Sequence, residues 1–541
     1  MPLMYQFIQN AYFWILLSLL IIIFVLIFFN KKKIINVYHL AFDKKTLVFF
    51  ILILLLSGYL RIINIMNNDS IETLANEYRT GAKTFYLTQK YQSCLSGTIL
   101  HCLVDTTLPR HVQGYSFLLS LIYFVTGPSE NVAFVFNAIL GILAVVIAYL
   151  ASYIFFKNKK TALLSALSIG VLPRLIWWGT TGEVVIANIF FIGLSLITLG
   201  LCKETNDYLL YALSFFVIMF TAHIRSENIF FLLILIGIFI FKNSHQGDIP
   251  SSLKKNSKNY FWGIILSIYG LGILLFNIII SKYASTQQGD HLITLNPSYI
   301  LMNLGFIYQI WHKLPLVIFA IGLIILILNK KGRSSSVVIL ATIFIHLLML
   351  STFYQSFPSG TPTNAGIGNM ERYLTTDILP LVVCGCEGLF VFIVWITRAL
   401  PLNRKSGKSV LITILFLISL YLLSVGADSL RGVPIAPYND STVIFQTMIL
   451  ELKPNYLMVS SPEMTQYVQF IRDDLPATWM PDKSIYLISP VDTKSYYVEL
   501  VSPYFPEKSV DYFFNKNITP AKIIGNFYIY NIKSVHVGSN G

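Results

Sequence analysis

The 541 residues are 55% hydrophobic and only 12% charged, with a mean hydropathy of +0.67, which is more apolar surface than one water-soluble core can hide. A purely soluble globular protein is excluded. The net charge of +13 does not argue for nucleic acid, because the basic residues fall as short clusters at the ends of apolar runs, as in membrane proteins that keep basic loops in the cytoplasm.

Crossing about 30 Å of hydrocarbon as a helix takes roughly 20 apolar residues, and the chain offers about 12 such stretches. They are predicted at residues 12–29, 46–66, 131–156, 161–178, 184–201, 208–222, 228–241, 260–280, 314–328, 337–353, 373–396 and 410–425. The first lacks a basic leader and a small-residue cleavage site, so it reads as a helix and not as a cleaved signal. Clusters at Lys31, Lys32 and Lys33 with Lys44 and Lys45, at Lys157, Lys159 and Lys160, at Lys254, Lys255 and Lys258, at Lys330, Lys331 and Arg333, and at Arg404, Lys405 and Lys408 are then cytoplasmic. The intervening loops face outward.

A further apolar run at 115–126 is short, and counting it as a span turns Lys157, Lys159 and Lys160 outward. It reads as a re-entrant or interfacial helix. Residues 67–130 then form one long first external loop, in which Ile71, Leu74, Ala75, Tyr78 and Ala82 recur at helical spacing beside Glu72, Glu77, Arg79 and Lys83. That pattern predicts an amphipathic helix on the membrane surface, with a plain solvated loop helix as the alternative.

The membrane part is thus residues 1–427. Beyond Val425 hydropathy collapses, and residues 428–541 read as a small external soluble α/β domain, with β-rich runs at 456–460, 484–489 and 526–532 and amphipathic stretches at 463–471 and 493–501. Five cysteines make no disulfide framework. Cys94 and Cys102 share the first external loop, as a disulfide or as two thiols, and Cys202, Cys384 and Cys386 serve as small apolar residues in or beside spans.

With this topology ionisable residues gather at the outer helix ends: Asp69, Glu72 and Glu77, then Glu183, then Arg225 and Glu227, then Glu371 and Arg372. Any one could be an ordinary loop charge. Their recurrence against apolar helices, loop after loop, points to a polar cavity on one face.

The acidic loop after an early span (Asn67-Asn68-Asp69-Ser70-Ile71-Glu72), the Pro-led segment Pro109-Arg110-His111-Val112-Gln113-Gly114-Tyr115 and the aromatic-basic turn Phe155-Phe156-Lys157 resemble the GT-C-fold glycosyltransferases, in particular the protein mannosyltransferase and aminoarabinose transferase group. The resemblance continues through Leu172-Pro173, Thr180-Thr181-Gly182-Glu183, Ile224-Arg225-Ser226-Glu227 and Glu371-Arg372-Tyr373-Leu374 with Leu379-Pro380, and so spans about residues 46–396. Two features depart from it. The acidic pair is split as Asp69 and Glu72 where family members often have adjacent Asp-Glu, and the run at 12–29 precedes the helix that resembles the family's first. Trp177-Trp178-Gly179 lacks the acidic residue of the oligosaccharyltransferase Trp-Trp-Asp motif.

The resemblance implies a polytopic α-helical enzyme of the plasma (inner) membrane, with its C-terminal domain periplasmic or extracellular. Such an enzyme moves a sugar from a polyprenyl-phosphate carrier to a lipid, glycan or protein acceptor. It implies Asp69 as leading general base, Glu72 as rival, and Glu183 as an acceptor-orienting group. Arg372 is implied for the departing phosphate, followed by Arg225, with Arg110, His111 and Tyr373 near the substrate. Pairing with Glu227 is an equal reading for Arg225. Asp69 and Glu183 are the candidates for a divalent metal, Mg²⁺ or Mn²⁺, which nothing in the sequence demands. A lipid-linked polysaccharide polymerase or ligase shares the carrier and the face. A flippase or transporter predicts repeats and midplane charges, and neither stands out.

Overall fold

The computed structural model describes residues 2–66, 73–92, 96–97, 112–205, 207–245, 270, 272, 275, 316–328, 336–344, 377–399, 404–428, 458–460, 469–472, 477–479, 495–500, 522–524 and 527–532. Helices α1 (Pro2–Phe29) and α3 (Lys44–Met66) expose Phe24, Phe28, Leu52 and Leu55, side chains that lipid accepts and water does not. Helices α6 (Glu130–Phe156) and α9 (Val185–Glu204) lie inside. The most apolar stretches of α6 and α9 are 61% and 83% buried, against 33% and 28% for α1 and α3. Together with α13 (Ile378–Ala399) these are the five described helices long and apolar enough to cross a membrane. At 27 residues, α6 is about 40 Å long. The chain is a helical membrane protein.

Other predicted spans form shorter helices. Residues 208–222 lie in α10 (Tyr208–Ile224), and a 3-10 turn at Ser226–Phe230 leads into α11 (Phe231–His245). Helix α12 (Leu316–Leu328) and helical residues 336–344 continue the series, and the 25-residue α14 (Arg404–Asp428) is long but apolar only over Ser409–Ser424. The predicted span 260–280 lies outside the described residues apart from three isolated positions.

The run at 161–178 is not one helix. It is α7 (Lys159–Val171) and α8 (Pro173–Trp178), with Leu172 between them at φ −61 and ψ 119. Proline lacks an N–H and disfavours helix in the residue before it. The break opens carbonyls at the end of α7. Fully buried Arg61 of α3 donates to one of them, Gly170 O, at 3.2 Å, and to its own Ser57 O at 3.2 Å.

One end of the bundle is held by lysine ion pairs. Lys33 pairs with Asp207, Lys157 with Glu204, and Lys159 with Asp43 at 3.0 Å. The backbone amide of Thr46 and the ammonium of Lys159 hold the Asp43 carboxyl down at about 2. A short helix that the sequence did not announce, α2 (Lys31–Ala41), is fastened here. Tyr149 donates to Ala41 O at 2.6 Å and Tyr153 to Leu40 O at 2.9 Å.

Helices α12 and α13 cross backbone to backbone. A Cβ on Gly388 would fall on the Gly322 carbonyl, and one on Gly385 would meet Phe319 Cα at 2.6 Å, the small-residue packing that brings helices close in lipid. Gly388→Ala is expected to cost about 1–3 kcal/mol, read as a lower melting temperature in detergent.

The described strands make one six-stranded sheet in the order β1-β3-β2-β4-β6-β5: β1 (Ser96–Gly97), β2 (Met458–Ser460), β3 (Ala477–Trp479), β4 (Ser495–Leu500), β5 (Lys522–Ile524) and β6 (Phe527–Ile532). Strand β2 runs parallel to β3 and β4, and β6 antiparallel to β4 and β5. Runs 456–460 and 526–532 contain β2 and β6 as read, whereas the stretch at 493–501, read as amphipathic, contains strand β4, paired with β6 from Ser495 opposite Ile532 to Leu500 opposite Phe527. Strand β1 comes from the first loop and pairs with β3, so the sheet crosses the boundary expected at 427.

Candidate functional site

At the end of the bundle away from the lysine pairs, the chain between α8 and α9 turns through Gly179–Val184. Thr180 and Thr181 donate back to the carbonyls of Trp177 and Trp178, at 2.8 and 3.2 Å. Asn137 of α6 donates its amide to the carbonyl of Glu183 at 2.7 Å and also to that of Thr181. A buried turn needs such donors for its carbonyls. They fix Glu183, 1% exposed, just before α9, where a helix N-terminus favours a carboxylate.

Tyr115, in α5 (Gly114–Thr126), is fully buried with its hydroxyl close to Asn137 and within the fields of Arg79 and Glu183. Arg79 comes from α4 (Thr73–Thr88). Its Nη1 pairs with Glu130 Oε1 at 2.9 Å, and its guanidinium stands 5.6 Å from the Phe134 ring and 5.7 Å from that of Phe470. A methyl group on Gly182 would lie 3.2 Å from Arg79 Cδ. One helical turn on, Lys83 donates to Phe470 O at 2.6 Å.

Helix α4 therefore occupies the loop where an amphipathic helix was expected, but its basic residues do not float at a membrane surface. Arg79 and Lys83 are buried, as are Tyr78, Ala82 and Phe85. Several faces are covered because the helix is wedged among α5, α6 and the segment around Phe470.

The ends of α9 and α10 join through amides and hydroxyls. Asn228 donates to Asn188 Oδ1 at 2.6 Å and to Thr221 O at 3.1 Å, and the Thr221 hydroxyl lies 3.1 Å from that of Ser195. Arg225, which ends α10 in extended backbone, pairs with Glu227. Asp377 is fully buried at the start of α13.

Among the described residues, Nη2 of Arg61, Nδ2 of Asn188, Oδ1 of Asn228 and Nε2 of His223 are buried and have no hydrogen-bond partner. Buried polar atoms are nearly always paired, and these four leave polar capacity open at the Glu183 end, as Asn30 Oδ1, Ser152 Oγ and Tyr211 OH do nearer the lysine pairs. Of the residues singled out from sequence, Glu183 and Arg225 are both at this end. Asp69, Glu72, Arg110, His111, Arg372, Tyr373, Cys94 and Cys102 lie outside the described residues. Among the described residues no group of three His, Cys, Asp or Glu comes together. Cys202, Cys384 and Cys386 are buried and form no disulfide among the described residues.

Sequence reasoning passed over Asn137, Tyr115, Glu130 and Asp377. A lone Asn or Tyr on an apolar helix is ordinarily an internally satisfied core residue. The signal available for Asn137 was an uncompensated amide in a run otherwise fit for lipid.

The fold these elements make is that of the GT-C glycosyltransferases. Solved structures that share it include the apo oligosaccharyltransferase of Archaeoglobus fulgidus, at TM-score 0.53 and 12% identity over 84% of this chain and 69% of that one. ArnT from Cupriavidus metallidurans bound to undecaprenyl phosphate matches at TM-score 0.56 and 9% identity, over 91% of this chain and 99% of that one. The Archaeoglobus fulgidus oligosaccharyltransferase AglB, in complex with an inhibitory peptide and a dolichol-phosphate, matches at TM-score 0.52 and 11% identity over 91% and 74%. At these identities the likeness is one of fold, and it extends to both branches alike. No family model and no curated protein matches the sequence.

Proposed function

We propose that the protein is a membrane glycosyltransferase that moves a sugar from a polyprenyl-phosphate carrier to an acceptor hydroxyl or amine of a lipid, glycan or protein on the non-cytoplasmic face. The observation that carries this reading is the buried polar end around Glu183, opposite the lysine pairs, in a chain with the GT-C fold. The lysine end is cytoplasmic by the positive-inside rule, which turns the Glu183 end outward. The membrane is the plasma (inner) membrane in this reading, and residues 428–541 form an external domain over that end, touching it at Phe470.

The acceptor oxygen or nitrogen attacks the anomeric carbon as its proton passes to a carboxylate, and the bond to the carrier phosphate breaks with its electrons going to phosphate oxygen. Asp69 is the proposed base, with Glu72 its rival. Glu183, held by Asn137 and close to Tyr115, orients the acceptor. Arg372 receives the developing phosphate charge. Arg225 is second in line because Glu227 already neutralises it. Arg110, His111 and Tyr373 complete the headgroup site. Oxygen ligands from Asp69 and Glu183 suit Mg²⁺ or Mn²⁺, and no step above depends on the metal.

The test is reconstitution with labelled polyprenyl-phosphate sugars, followed by acceptor-dependent loss of label from lipid. Arg372→Ala is expected to raise KM for the lipid donor by about tenfold or more, as for a lost charge-assisted phosphate contact. Label that crosses the bilayer without leaving its lipid would instead identify a flippase.

A further inference from the structure

Helix α1 precedes the helix that resembles the family's first, and the mechanism above leaves it without a task. Its Tyr12, fully buried, nevertheless reaches the polar end. The Tyr12 hydroxyl lies 3.1 Å from His223 Nδ1 and accepts the backbone N–H of Gln113 at 3.2 Å. Its ring stacks on Tyr91 at 4.1 Å and meets the His223 ring edge-on at 5.3 Å. The two segments it joins also touch each other directly, since a Cβ on Gly114 would collide with the His223 carbonyl.

Both segments carry residues of the site. Gln113 and Gly114 open α5, and the next residue is the fully buried Tyr115, which interacts electrostatically with Arg79 and Glu183. His223 is in the last turn of α10, which ends at Arg225. The Gln113 N–H is a helix-start donor that the helix itself cannot satisfy, and it is buried, so the phenol oxygen meets a need that few side chains could meet from another helix.

We propose that Tyr12 is a positioning residue: through its hydroxyl, α1 sets the first turn of α5 against the end of α10 and so fixes Tyr115 and Arg225 relative to Glu183. This deepens the glycosyltransferase reading and rests on it. Helix α1 is then part of the site's frame as well as a membrane anchor.

The test uses the full-length chain in detergent and in liposomes. Tyr12→Phe keeps the ring and its stacking and removes the hydroxyl. Hydrogen exchange is expected to quicken in peptides covering 112–118 and 221–228 and to stay unchanged at 149–160, near the lysine end. In the transfer assay KM for a polyprenyl-phosphate sugar should rise about fivefold, the worth of one buried hydrogen bond, with kcat changed by less than about twofold. His223→Leu attacks the same contact from the other side and should reproduce both effects. His223→Asn keeps a polar atom near the Nδ1 position and should restore much of the wild-type KM. Unaltered exchange at both segments in Tyr12→Phe and His223→Leu overturns the proposal. If the wild-type protein transfers no sugar, the functional reading fails, and the exchange measurement still decides the role of Tyr12.

Discussion

Asp69→Asn is expected to lower sugar transfer by about 10²–10⁴-fold, the usual contribution of a positioned general base, while expression and thermal melting stay at wild-type levels. The amide is nearly isosteric with the carboxylate but cannot accept the acceptor's proton, so the loss falls on kcat. Glu72→Gln run beside it separates the two candidates, which stand three residues apart and can share one helix face. Transfer undiminished in both variants removes the proposed base. As the proposed base, Asp69 carries the largest expected effect, because acid-base work cannot be shared out among neighbours in the way that binding can.

The second large effect is structural. Arg79→Ala withdraws a cation that is 1% exposed and touches Glu130, two aromatic rings and the turn carrying Glu183. Breaking a fully buried pair costs about 3–5 kcal/mol. The Glu130 side chain is 25% exposed, so water recovers part of that, and about 2–4 kcal/mol is expected. Chemical or thermal unfolding in detergent measures it. Arg79→Lys should recover only part, because an ammonium keeps the charge but not the flat surface that lies between Phe134 and Phe470.

These two residues also show what could be read from the sequence. Hydropathy located the interior helices α6 and α9 within a few residues, because a lipid-crossing run needs nothing beyond itself to be recognised. The lysine clusters announced one end of the bundle for the same reason. Glu183 and Arg225 stood out as charges abutting apolar helices. The Pro173 break was written in the sequence but outweighed there by the apolar run around it.

What stayed hidden depends on partners far along the chain. Arg79 meets Glu130, 51 residues away, Tyr12 meets His223 at 211, and Lys83 meets Phe470 at 387. No local window contains such pairs. The charged side of α4 looked solvated from its spacing alone, because periodicity separates polar from apolar faces without saying what will cover either. At 493–501 the local pattern read as an amphipathic stretch distinct from the β-rich runs, and pairing with β6 decided for strand.

Strand β1 belongs to the first loop, yet it finishes a sheet whose other strands lie between Met458 and Ile532. A ribosome delivers the chain from its N-terminus, so β1 emerges long before β3 exists to receive it. The same is true of Lys83, whose acceptors are the carbonyls of Gln469 and Phe470. The Glu183 end of the bundle is therefore closed late in biogenesis, after the helices are in the bilayer and the loop-closure entropy of that long separation has been met. A chain halted after α14 leaves α4 without its cover, and a C-terminal fragment made alone carries an open edge at β3.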